Sequence, residues 1–165
     1  MKNLLKQLSS LILPVTVLVV VPILIERNLT LFVDRYFAMG VVLATGGITL
    51  LFITIRMFIR IGKGTLAPWT PPERLVVSGI YSYVRNPMIT GVMVALLGES
   101  LALHSRNIFI WLIIFFVINY IYFIFSEEPA LAARFGDAYL EYKRNVPRWL
   151  PRITPWRLEE RKNGL

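Results

Sequence analysis

Long apolar runs alternate with short charged segments along this chain. Four stretches, 8–25, 36–58, 86–105 and 107–126, carry few charged side chains. A helix needs about 20 mostly apolar residues to cross the hydrocarbon core of a bilayer. The pattern therefore predicts an all-α polytopic membrane protein with about four transmembrane helices.

The pattern changes after the second and fourth of these stretches. Residues 60–85 are rich in glycine and proline, which predicts a loop. In the tail, 127–165, apolar side chains recur at helical spacing, which predicts an amphipathic C-terminal helix that is interrupted at Gly136. Those side chains are Leu131, Phe135, Tyr139 and Tyr142.

Composition supports a membrane rather than a soluble setting. The 165 residues are 56% hydrophobic and 17% charged, with a mean hydropathy of +0.61. A single soluble domain of this length does not bury so much apolar surface. We therefore expect one membrane domain.

The basic residues predict the orientation of the spans. Of 18 lysines and arginines, only Arg27, Arg35 and Arg106 fall in the expected outer loops. Cytoplasmic flanks are enriched in basic residues, so we expect both termini and the segments 60–85 and 127–165 in the cytoplasm, with the chain in the inner membrane. The net charge of +8 then indicates contact with anionic lipid. We expect no nucleic acid partner, since no recognition motif accompanies the basic residues.

The residue inventory excludes several kinds of chemistry. The chain has no cysteine and a single histidine, His104. Thiolate nucleophiles and cysteine-ligated metals are therefore excluded. We expect no metal site, because carboxylates alone would have to supply the ligands.

Two sets of polar residues lie in or beside the apolar stretches. Asn119, Phe123, Ser126 and Glu127 share one helical face, which either lines a cavity open to the cytoplasm or lets Asn119 bond to a neighbouring helix. Glu99 is either functional, as carboxylates within a membrane usually are, or it reaches the outer interface or pairs with Arg106.

Two separated motifs resemble a known family. The first is Arg85-Asn86-Pro87 with Gly91, and the second is Glu127-Glu128 followed by Phe135-Gly136, Tyr139, Tyr142 and Val146-Pro147. In this order, over residues 78–152, they resemble the isoprenylcysteine carboxyl methyltransferase and phospholipid methyltransferase family of integral membrane enzymes.

The resemblance implies a site for S-adenosylmethionine and a lipophilic small-molecule or lipid acceptor. It implies that Glu128 and Arg85 are catalytic. It places the following residues at the cofactor: Tyr83, Arg85, Asn86, Pro87, Gly91 and Glu127. We expect acceptor contacts from Asn119, Phe123, Tyr139 and Tyr142.

Three positions depart from the family pattern. Asn86 and Ile89 stand where a histidine and a tyrosine are common, and Phe123 stands where carboxyl-methylating members carry an arginine. These departures leave the acceptor open among a carboxylate, an amine and a thiol. They also keep open a non-catalytic membrane protein that retains the fold. A second alternative is an NADPH-dependent membrane reductase, because the second motif also resembles the carboxy-terminal arrangement of membrane sterol reductases.

Overall fold

The regular structure of the chain is helical. The computed structural model describes residues 12–26, 32–57, 60–61 and 74–157. Within these ranges every element is a helix and no strand occurs, which confirms the predicted all-α class. Residues 8–11 of the first predicted span, residue 58 of the second, 62–73 of the predicted loop and the last eight of the tail lie outside the described residues.

Six α-helices follow one another along the described chain. Their bounds are α1 Ile12–Ile25, α2 Arg35–Met57, α3 Pro87–Ala102, α4 Arg106–Tyr122, α5 Glu128–Phe135 and α6 Asp137–Asn145. A π-helical turn, Thr16–Val20, lies within α1, and another, Phe123–Glu127, joins α4 to α5. A short 3₁₀-helix covers Gly79–Ser82 ahead of α3.

Two helices are long and apolar enough to cross a membrane. They are α2 and the continuous helix Arg106–Phe135, of 23 and 30 residues. The apolar helices α1 and α3 are shorter; the 16 residues of α3 extend about 24 Å at 1.5 Å per residue. The described structure thus contains two full-length candidate spans where the hydropathy pattern predicts four.

Small residues bring α2 and α3 into close contact. A Cβ atom on Gly47 would lie 2.5 Å from the backbone nitrogen of Ala95, and one on Gly98 would clash with that of Ala44. Transmembrane helices commonly approach through such small residues. A Cβ atom on Gly46 would meet no such neighbour within 4 Å. Gly47 of α2 and Gly98 of α3 therefore allow the close helix contact, and Gly46 does not take part in it.

Hydrogen bonds fasten α1 to the start of α4. The Ser105 hydroxyl accepts from the backbone N–H of Ile108, as a helix N-cap does, and donates to the Glu26 carboxylate that follows α1. The Trp111 indole nitrogen donates to the Val17 carbonyl oxygen at 3.1 Å. These bonds place α1 against α4 at the end of the molecule opposite Glu127 and Glu128.

The helix that holds the carboxylate pair does not end where the apolar run ends. Hydropathy predicts a boundary after Ser126, but the helix continues through the π-helical turn into α5, where the Glu128 N–H donates to the Phe123 carbonyl oxygen. It ends at Gly136, whose φ of +54° favours glycine. A rigid helix therefore carries both carboxylates.

Glu99 of α3 has a partly buried side chain. Its Oε2 atom is buried and has no hydrogen-bond partner in the described part of the chain. No ion pair joins Glu99 to Arg106 there, so that alternative for its role is not supported.

Candidate active site

Backbone hydrogen bonds join the two motif segments. The Arg85 N–H donates to the Pro147 carbonyl oxygen at 2.9 Å, and the Arg152 N–H donates to the Tyr83 carbonyl oxygen at 2.9 Å. The Trp156 N–H donates to the Ser82 carbonyl oxygen at 3.0 Å. The structure thus brings together the segment before α3 and the loop after α6, which lie some sixty residues apart in sequence.

A single buried carboxylate, Glu128, lies where these segments meet α5. Its Oε1 atom lies 2.8 Å from Arg85 Nη1 and 2.6 Å from Arg148 Nη2, and its Oε2 atom lies 2.8 Å from Lys143 Nζ. The Glu128 side chain is 6% exposed. Both carboxylate oxygens are thus engaged by cations, which hold the group ionised and leave it a poor proton acceptor.

Arg85 is held on three sides. Its Nε atom donates to the Val146 carbonyl oxygen at 2.8 Å, and its Nη1 atom lies 3.4 Å from the Tyr139 hydroxyl in addition to the Glu128 contact. Only 10% of the side chain is exposed. Arg85 therefore binds the C-terminal loop to α5, and this geometry assigns it a positioning contact within the protein.

Glu127 has a different environment from its neighbour. Its side chain is partly buried, and none of the described lysines, arginines or histidines forms an ion pair with it. Glu128, the next residue, has three cationic partners, so the two neighbouring carboxylates differ in how far their charge is compensated. This difference makes Glu127 the carboxylate available to a cationic ligand.

The π-helical turn decides which glutamate points inward. A regular helix places Glu127 on the face of Phe123, four residues on. The turn adds a residue, which shifts the face by about 100°, so that Phe123 and Glu128 are both buried. Helical spacing alone therefore assigns the inward face to the wrong glutamate.

Four of the predicted contact residues lie in packed positions. Tyr139 and Tyr142 are buried in a cluster with Val146, and the Tyr142 hydroxyl donates to the Tyr81 carbonyl oxygen at 2.7 Å. Gly91 lies against α2, where an added Cβ would be 2.9 Å from a backbone oxygen. Asn119 donates to a carbonyl oxygen of its own helix at 2.8 Å. The structure thus gives these side chains packing or intrahelical contacts.

The titration of the buried tyrosines follows from this packing. Burial, and then the negative charge of Glu128, raise the pKa of Tyr139 to about 12. Burial likewise raises the pKa of Tyr142. Both phenols stay neutral at physiological pH and act as hydrogen-bonding parts of the scaffold.

The remaining predicted cofactor residues lie on the joined segment. Tyr83 and Asn86 are partly exposed, and the Asn86 carbonyl oxygen accepts from the Thr90 N–H and hydroxyl. Pro87 is buried and begins α3, where a proline is tolerated because the first N–H of a helix has no partner. Tyr83 and Asn86 thus lie within two residues of Arg85, which contacts Glu128.

The loop after α6 contributes two residues that the sequence patterns did not identify as functional. The Trp149 ring centre lies 5.6 Å from those of Phe116 and Phe123, and the Arg148 guanidinium carbon lies 5.3 Å from the Tyr120 ring centre. The Trp149 indole nitrogen is buried without an acceptor in the described structure, at a cost of about 1–3 kcal/mol. In the sequence, the only sign of their role is that an arginine and a tryptophan stand side by side after an amphipathic helix.

An apolar groove runs between α3 and α4. It is an open groove with a volume of about 250 Å³. Its walls include Thr90, Met93, Val94 and Leu97 of α3, and Ile113 and Phe116 of α4. The groove shares Phe116 with the aromatic contacts of Trp149, and Trp149 follows Arg148, a partner of Glu128.

The described residues thus form a helical protein of membrane character. Its candidate site contains the buried carboxylate of Glu128, which is paired with cations near the end of the helix Arg106–Phe135. Residues 35–138 match the phospholipid methyltransferase family. Because the match covers more than half of the chain, the protein belongs to the phospholipid methyltransferase family.

Curated relatives match a smaller part of the chain. It is 35% identical over 82 residues to a protein-S-isoprenylcysteine O-methyltransferase of Schizosaccharomyces pombe, covering 48% of this chain and 34% of the relative. It is 34% identical over 88 residues to the Xenopus laevis protein of the same name, covering 52% and 30%. The chain thus spans about a third of the length of these relatives. No solved structure gives a significant match.

Proposed function

We propose that the protein transfers a methyl group from S-adenosylmethionine to a lipophilic acceptor at the cytoplasmic face of the inner membrane. Family membership supports the reaction class. The observation that carries the proposal is the contrast between Glu128, which binds three cations, and Glu127, which binds none of those described. Because an unpaired carboxylate favours a cationic ligand, Glu127 suits a sulfonium or ammonium group.

The proposed cofactor site contains residues of both motif segments. Glu127 would hold a positively charged or hydroxyl group of S-adenosylmethionine, and Tyr83 and Asn86 would supply hydrogen bonds. When bound, S-adenosylmethionine supplies an electrophilic methyl group. The protein then has to orient the acceptor and exclude water, and orientation alone contributes about 7–11 kcal/mol in favourable cases.

Glu128 has a positioning role in this proposal. Its three ion pairs fix α5, α6 and the loop that carries Arg148 relative to the start of α3. We do not propose a catalytic role for Glu128, because cations of the described residues pair with both of its carboxylate oxygens. The membrane arrangement that we propose keeps four crossings, with the shorter helices α1 and α3 among them and both termini cytoplasmic.

Calorimetric titration of the purified protein tests the proposal. We expect S-adenosylmethionine to bind and NADPH not to bind. Glu127→Gln should weaken cofactor binding about tenfold, as loss of a charged hydrogen bond does. Glu141→Gln, which alters an exposed carboxylate of α6, is the matched control. Binding of NADPH alone would support a reductase, and binding of neither cofactor would refute the methyltransferase proposal.

A further inference from the structure

The loop after α6, residues 146–156, lies alongside the apolar part of α4. The Trp149 ring centre lies 5.6 Å from those of both Phe116 and Phe123, so Trp149 lies level with the helical turn midway between them. At 1.5 Å per residue, that turn is about 10 Å before Ser126, the last residue of the uncharged run 107–126. The loop thus reaches a depth at which α4 is still apolar.

The direction of α6 explains how the loop reaches this depth. Lys143, near the end of α6, contacts Glu128 at the start of α5, so α6 runs back along α5 towards α4. The two helices have nine and eight residues, so α6 ends near the level of Glu128. The loop that follows therefore continues from the carboxylate pair towards the middle of α4.

Much of the polar backbone of the loop is satisfied by the protein. Four loop residues form backbone hydrogen bonds with the segment 82–86, and they are Pro147, Arg148, Arg152 and Trp156. Positions 147, 151 and 155 are prolines, which have no N–H to satisfy. Non-helical backbone occurs at membrane depth only where it is buried in protein or lines a water-filled cavity. These contacts and prolines therefore lower the cost of placing the loop in a membrane.

Two large apolar side chains project from the loop. Leu150 is 79% and Ile153 is 98% exposed. Between them, the Arg152 side chain turns back to the protein, where its Nη1 atom donates to the Asn145 carbonyl oxygen at 2.6 Å. Single apolar side chains are ordinary on a soluble surface, but these two lie within four residues of Trp149, beside an apolar helix. Hydrocarbon is the environment that suits them, because apolar surface is favoured in an apolar medium.

We propose that residues 149–153 dip into the membrane without crossing it, and that Leu150 and Ile153 contact the acyl chains of the leaflet on the side of Glu128. Lipid contact then holds in place the loop that pairs Arg148 with Glu128. The inference rests on the proposed crossing by the helix Arg106–Phe135 and not on methyl transfer. It differs from the sequence-based expectation, which places all of 127–165 in the cytoplasm.

Spin labels at single cysteines test the depth of the loop. The chain has no cysteine of its own, so Leu150→Cys and Ile153→Cys each carry one label on the full-length protein in phosphatidylcholine nanodiscs. The measurement is the accessibility of the label to oxygen, which concentrates in hydrocarbon, and to a water-soluble nickel complex. Two exposed positions are the matched controls: Ile121→Cys in the apolar run of α4 and Leu140→Cys on α6.

We expect the labels at 150 and 153 to be accessible to oxygen and to lose accessibility to the nickel complex, as the label at 121 does. The label at 140 should remain accessible to nickel. Labels at 150 and 153 that nickel reaches as readily as the label at 140 would overturn the inference. Shielding of both from oxygen as well as from nickel would also overturn it, because protein, such as a second copy of the chain, would then cover the loop.

The controls separate this inference from the proposed function. Access of nickel to the label at 121 would refute the proposed crossing and this inference with it. Shielded labels in a protein that binds no S-adenosylmethionine would support the inference and refute only methyl transfer. Should Leu150→Cys fail to fold, Ile153→Cys carries the test, since the Ile153 side chain is 98% exposed and its removal disturbs almost no packing.

Discussion

The substitution Glu128→Gln separates a structural carboxylate from a ligand-binding one. It keeps the shape of the side chain but removes the charge that three cations share. Arg85 and Arg148 are 10% and 16% exposed at their contacts with Glu128, so both lose a buried partner. Lys143, at 43% exposed, contributes little because solvent screens it.

The size of the effect follows from the buried contacts. Removing one partner of a buried ion pair typically destabilises a protein by about 3–5 kcal/mol, because the remaining charge is left uncompensated. That is a large fraction of the roughly 5–15 kcal/mol by which folded proteins are stable. We therefore expect Glu128→Gln to lower the free energy of unfolding by about 3 kcal/mol or more.

The assay is equilibrium unfolding of the purified protein, followed by tryptophan fluorescence. Glu127→Gln is the matched control, since it makes the same change one residue earlier at a site without a described ion pair. It should change stability by no more than about 0.5 kcal/mol while weakening cofactor binding. Equal destabilisation by the two substitutions, or none by Glu128→Gln, would refute the reasoning.

Two further predictions concern packing and pH. Gly47→Ala should destabilise the protein by about 1–3 kcal/mol, because its Cβ would lie 2.5 Å from the Ala95 nitrogen. The control Gly46→Ala, whose Cβ meets no atom within 4 Å, should be nearly neutral. A larger loss of stability in Gly46→Ala than in Gly47→Ala would contradict the packing of α2 on α3. Because the pKa of Tyr139 is raised to about 12, folding favours its neutral form, so stability should fall as pH rises from about 10 to 12. The fall should be smaller in Tyr139→Phe when both proteins are unfolded across that range, and identical pH profiles would contradict the assignment.

Much of the fold was predictable because it depends on local patterns. Apolar runs and glycine placement predicted the helical class and a break at Gly136, where one helix ends and the next begins. The two motif segments were predicted to form one site, and backbone hydrogen bonds join 82–86 to 147–156 in the structure. Helix periodicity and the scarcity of charge in apolar stretches carry this information along the chain itself.

Roles within the site were less predictable. Tyr139, Tyr142 and Gly91 belong to the motifs and pack against protein in the structure, and their contact with a ligand stays a prediction. A motif shows that a residue type suits its position, but it does not separate a residue that touches a ligand from one that supports the site.

The helical class, the apolar stretches and the two segments with polar side chains follow from the order of the amino acids. The inward position of Glu128 became clear only in the folded chain, because the π-helical turn after Tyr122 shifts the register by one residue. The position of Arg148 beside Tyr120 likewise depends on the folded loop. Periodicity describes residues on one helix, whereas the position of a loop depends on contacts made by residues far apart in the chain.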